Sequence, residues 1–184
     1  MPKPAARPVG SARRPEPAAP APPFGLAAEN VATPEILARA AVELAEVVEP
    51  AVYRDGLRAD RTIAAHLRGR RDLAAPDHRF LSCAAFSLFR WQGWVEPLGL
   101  SNTADRLLLS VLLDSTAMHP ACRGLARMAG RDPSRLVPLG DAPTWAARAE
   151  AFRRLLGGMP VTADPWRLFP DWLRSQLPVP PGGG

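Results

Sequence analysis

The chain has 184 residues, 47% of them hydrophobic and 22% charged, with a formal charge of +5, a composition that suits one soluble globular domain with a tail. Two cysteines, Cys83 and Cys122, rule out a disulfide framework and fit a reducing compartment. The longest strongly apolar run, Leu107 to Leu113, is far short of the ~20 residues a bilayer requires. Prolines interrupt the N-terminus too often for a secretory signal, so the expectation is a cytoplasmic protein with no membrane partner.

The positive charge is unevenly placed. Residues 24–53 carry −4, whereas residues 54–94 carry +4 from eight arginines against four aspartates. Residues 1–30 are expected to form a disordered Pro/Ala/Arg-rich tail, since eight prolines fall within the first 23 and little there can be buried. A first helix is predicted from Thr33 as N-cap, Pro34 at its first position and Glu35 in its first turn. Ile36, Leu37, Ala40, Ala41, Leu44, Val47 and Val48 give it an apolar face, and Pro50 marks its stop.

The next stretch organises the chain. Asp60 is a suitable N-cap for a second helix, in which Ile63 and Leu67 share a face, and Gly69 ends it. Arg70, Arg71 and Asp72 form a charged turn from which Leu73 can point inward. A long third helix is predicted from Pro76 to Val95, with Asp77 at the positive end of its dipole. Phe80, Ala84, Leu88, Trp91 and Val95 recur at spacings of three and four, which makes this helix a core element.

After Pro97-Leu98-Gly99, residues 103–116 read as a helix capped by Asn102 or Thr103 and apolar on all sides, hence central in a bundle. Residues 120–129 read as a short helix, and residues 131–140 as a loop or half-turn. Asp141 is the expected cap of a helix with Trp145, Ala149, Phe152 and Leu156 inward and Gly157-Gly158 at its end. A last short helix is expected over Asp171 to Leu177. No alternation suggests strands. The fold class is therefore all-α, a bundle of about six or seven helices.

Arg58, Arg61, Arg68, Arg70, Arg71, His78, Arg79 and Arg90 fall within about thirty residues. Arg61 and Arg68 are seven apart and share a helical face; Arg79, Phe86 and Arg90 follow at steps of seven and four, with the ring between two guanidinium groups. Arginine forks contact phosphates and stack on bases, and an aromatic adds a stacking surface. On the residues alone the simpler reading is a solvated arginine face with Asp55, Asp60, Asp72 and Asp77 pairing within it and Phe86 in a second layer of core. Asp77 and Arg79 can equally form a fold-locking pair.

Four segments in order tip that balance: Ala59-Asp60-Arg61, Leu67-Arg68, Asp77-His78-Arg79-Phe80 and Arg90 at the end of an aromatic helix. A fifth, Phe169-Pro170-Asp171-Trp172-Leu173, lies near the end. Together they resemble the N-terminal NusB-like domain of the RsmB/Sun/Nop family of ribosomal RNA cytosine-C5 methyltransferases, over roughly residues 34–177. The resemblance implies a NusB-like helical RNA-binding domain at residues 31–177, followed by a Pro/Gly linker at 178–184 that leads to a methyltransferase domain. It implies ribosomal RNA as the partner through the eight basic residues above, with no DNA expected. S-adenosylmethionine is implied as the cofactor of the longer parent rather than of this chain. The alternative it leaves open is a protein-interaction module of the antitermination or ribosome-assembly type, docking through Trp166 and Trp172.

Catalytic and metal-ligating patterns are not found in the sequence. Cytosine-C5 chemistry needs a thiolate that adds to carbon 6, but neither cysteine follows proline or threonine as in that family. Cys83 reads as a small buried hydrophobe, and Cys122 has no reactive context. His119 and Cys122 are three apart without paired ligands elsewhere, which argues against a zinc site.

Overall fold

The structure is a computed structural model, and it describes residues 32–157 and 164–168. Among these residues there are seven α-helices and no strand: α1 Pro34–Tyr53, α2 Ala59–Gly69, α3 Ala75–Arg90, α4 Gln92–Val95, α5 Thr103–Asp114, α6 Ala121–Met128 and α7 Trp145–Leu155. Short 3-10 turns lie at Glu96–Leu98, Pro133–Arg135 and Pro165–Leu168. The all-helical bundle expected from the sequence is thus present. The tail, the expected helix over 171–177 and the linker over 178–184 lie outside the described residues.

The first three helices form a unit whose direction is fixed at both ends. The Ala32 amide donates to the Asp77 carboxylate at 3.2 Å, joining the start of α1 to the start of α3. At their far ends the Tyr53 ring lies 5.5 Å from that of Phe89, and the Tyr53 hydroxyl donates to Gln92 at 2.5 Å. α1 and α3 therefore run parallel, and α2 returns between them on the outside, with Ile63 and Leu67 turned to the core.

α5 is the centre of the molecule: seven of its apolar residues, from Ala104 to Leu113, are buried along with Ser110. Leu107, Leu108, Val111 and Leu112 join the main core of α1, α2, α3 and α6. Leu109 and Leu113 turn the other way, into a second core with Trp91, Trp94, Val95, Leu139, Ala149 and Phe152. A helix apolar on all sides is what two cores on one element require. α6 crosses α1 so closely that a Cβ on Gly124 would sit 2.6 Å from the Pro34 carbonyl oxygen and 2.7 Å from the Ala38 side chain.

Several sequence expectations are corrected in detail. α1 does not stop at Pro50 but runs one turn further, because a proline withholds only its own donor while its carbonyl still accepts from the Arg54 amide at 2.9 Å. Ile36 and Val47, expected inward, are half exposed at the edge of the apolar stripe. Asp60 is not the cap of α2: the helix begins at Ala59, and the carboxylate turns instead to the Arg58 guanidinium at 2.8 Å. The long third helix is broken at Trp91 (φ −101°, ψ 8°), which sends Trp91 and Trp94 into the second core. Thr144, not Asp141, caps α7, its hydroxyl accepting from the Ala147 amide at 3.1 Å. The chain before it is held away from helix by main-chain bonds from Leu139 to Leu112 at 2.7 Å and from Gly140 to Ser115 at 2.8 Å. Consequently Trp145 sits at the rim and is 51% exposed, whereas Ala149, Phe152 and Leu156 are buried as expected.

Candidate nucleic-acid interface

The eight basic residues expected to meet RNA divide into two sets. Arg61 and Arg68 lie on the outer face of α2, Arg71 in the turn that follows and Arg79 in the first turns of α3. All four are exposed, and the guanidinium group of none has an ion-pair or hydrogen-bond partner among the described residues. The other four are engaged in the fold. Arg58 pairs with Asp60. Arg70 bridges Asp72 at 3.0 Å and Glu43 of α1 at 3.1 Å, which ties the end of α2 to the middle of α1. The His78 Nε2–H donates to the Arg70 carbonyl at 2.8 Å and so fastens α3 to the same turn. Arg90 pairs with Asp114, which also accepts from the Ser87 hydroxyl at 2.9 Å and from the Trp91 indole at 3.3 Å.

These pairs use up the nearby acids. The Arg70 guanidinium hydrogen-bonds Asp72 and holds its carboxyl below the usual range, and Arg58 does the same for Asp60. Asp77 is buried and accepts from the main-chain amides of Ala32 and Ala74, not from Arg79. The expected Asp77–Arg79 lock is therefore a carboxylate–amide lock, and Arg79 is left on the surface. Phe86, weighed as a second-layer core residue, is 40% exposed on the same α3 face as Arg79 and Arg90. The result is a rim along α2, the turn after it and the start of α3 where guanidinium groups outnumber the acids that could neutralise them.

Three residues outside the expected cluster share the property of being exposed cations without an ion pair among the described residues, Arg39 on α1, Arg123 on α6 and Arg167 in the 3-10 turn Pro165–Leu168. The residue that sequence reading missed outright is Trp145. Its helical spacing with Ala149 and Phe152 suggested burial; the only signal against it was its place beside a cap.

The described residues do not fit the methyl-transfer chemistry implied for a longer parent. They form helices and turns, without the strand–glycine–helix unit that cradles S-adenosylmethionine. Burial pushes the Cys122 thiol up to about 12, and burial followed by the Asp114 charge raises that of Cys83, so neither is a ready thiolate near neutral pH. His119, once a metal-spacing candidate with Cys122, is stacked on Phe80 at 4.0 Å and accepts from the Ala121 amide. No group of three or more potential metal-ligating side chains occurs among the described residues. No helix of the described residues is long and apolar enough to cross a membrane.

Compared with protein-family models, with curated proteins and with solved structures, the chain has no significant match.

Proposed function

We propose that this chain is an RNA-binding helical domain that holds its target through phosphate contacts at the α2–α3 rim. The observation that carries the reading is the set of four exposed guanidinium groups, Arg61, Arg68, Arg71 and Arg79, with no partner among the described residues while neighbouring arginines are paired. A cation left unpaired on a surface whose acids are already committed is available to a phosphate fork. The order of motifs supports ribosomal RNA as the target, and a methyltransferase domain beyond this chain, supplied with S-adenosylmethionine, as the user of the bound RNA. In that arrangement this domain positions a cytosine and takes no part in the chemistry.

The test is charge reversal of partner-free residues, Arg68→Glu with Arg71→Glu, which spares Arg70 and its two ion pairs. Four phosphates neutralised on a single strand correspond to a slope of about −3 in log affinity against log salt. The double variant is expected to bind RNA at least tenfold more weakly and to lose about half of that slope. Wild-type affinity and slope in the double variant would exclude this surface.

A further inference from the structure

We propose that Trp145 is a stacking platform for an unpaired nucleobase, which makes single-stranded RNA the form this domain recognises. The proposal rests on the RNA-binding reading above and adds a residue, a ligand class and a strand preference to it.

Trp145 combines exposure with rigidity. It is 51% exposed, yet its ring meets that of Trp91 at 5.8 Å and 53° and that of Trp94 at 6.3 Å and 73°. Those contacts are tilted or edge-on, so they fix the ring without capping it. The Arg148 guanidinium lies 5.5 Å from the Trp145 centroid and 5.4 Å from that of Trp91. Arg148 is itself anchored, donating to the Gly140 carbonyl at 2.5 Å. An indole backed by a guanidinium and held at its edges has already given up its rotamer freedom, so a ligand ring can stack on it without ordering it first.

The space beside the ring is a shallow cleft of about 140 Å³ lined by Ala142, Pro143, Thr144, Trp145 and Arg148. It is half-open and its lining is more polar than apolar, which suits the face of a heterocycle better than an aliphatic side chain. The second core does not depend on the exposed side of this ring, since Phe152, Ala149 and Leu156 fill it.

Position connects the platform to the arginine rim. Buried Trp91 touches the Trp145 ring on one side and gives its indole N–H to Asp114 on the other, and Asp114 holds Arg90. Arg90 continues the Arg79–Phe86 face of α3. A strand whose phosphates follow that face arrives at Trp145 one buried residue further on. Within a duplex each base is covered by its neighbours, so only an unpaired base has a face to offer.

The experiment compares a single-stranded RNA with a duplex of the same composition, using wild type, Trp145→Ala and Trp145→Phe. Loss of one stacked base is worth ~1–3 kcal/mol, about fivefold or more in affinity. Trp145→Ala should lose at least that for the single strand and change duplex binding by less than about twofold, while Trp145→Phe stays within about threefold of wild type. Tryptophan fluorescence of the wild type should be quenched by the single strand, and that quenching should vanish in Trp145→Phe. Equal losses for both RNAs, unchanged single-strand binding by Trp145→Ala, or full quenching in Trp145→Phe would each overturn the proposal. A nuclease-insensitive protein lost only by Trp145→Ala, with RNA binding intact, would overturn it in favour of protein docking. If Arg68→Glu/Arg71→Glu binds like wild type while Trp145→Ala does not, the arginine reading fails and the platform stands. If the wild type binds neither RNA, both fall.

Discussion

At the scale of single residues, the molecule separates polar groups that build it from those left for a partner. Asp77 belongs to the first kind: it receives two main-chain amides at the joined ends of α1 and α3. A buried carboxylate is tolerated when its acceptor capacity is used in this way. His119 shows the same economy, with its ring on Phe80 and its Nδ1 accepting from the Ala121 amide. Burial lowers its proton affinity below the ordinary 6.5, with Asp77 pulling weakly the other way. A base whose folded-state value is depressed contributes stability above its unfolded value and loses it as the pH falls. The fold should therefore weaken as the pH drops below about 6.5, and the His119 ring should still be neutral there in an NMR titration. A His119 ring that takes up its proton at or above the ordinary value would contradict this.

At the scale of elements, close approach matters as much as apolar pattern. Gly124 is where α6 rests on α1, and a methyl group there would meet the Pro34 carbonyl oxygen at 2.6 Å. The obstacle is main chain, so it cannot swing aside, and the two helices must separate. Gly124→Ala is expected to cost about 1–3 kcal/mol in a urea titration. A midpoint equal to wild type would show that α1 and α6 do not depend on this close approach. Nothing in the sequence singled this glycine out, because the partner of a helical glycine is decided by a segment some ninety residues earlier. The break at Trp91 was hidden for a similar reason: Phe80, Leu88, Trp91 and Val95 keep a helical period, but the last two face a different core from the first two.

At the scale of the whole molecule, the two cores share α5 yet differ in make-up. The main core is aliphatic apart from Phe80, whereas the second depends on Trp91, Trp94 and Phe152, whose bulky rings hold α7 against the rest. Phe152→Ala removes the ring that stacks on Trp94 at 6.0 Å and should cost about 3–5 kcal/mol locally. Amide hydrogen exchange should accelerate in α7 far more than in α1, α3 and α6. Uniform acceleration would show instead that both cores unfold as one unit.

The sequence by itself determined the helical class, the position of nearly every helix and the polarity of its faces. Capping chemistry and 3.6-residue periodicity act over a few neighbours, and those neighbours are adjacent in the chain. It also put the eight basic residues in one stretch. Only the tertiary structure decided which of them are spent: Arg70 on Glu43, Arg90 on Asp114 and His78 on a carbonyl eight residues back, leaving Arg61, Arg68, Arg71 and Arg79 outward. It alone turned Trp145 to the rim, because that depends on where Thr144 caps and on two indoles contributed from the break after α3 and from α4. Charge and aromaticity are properties of a residue, but availability is a property of its distant neighbours, and folding chooses those.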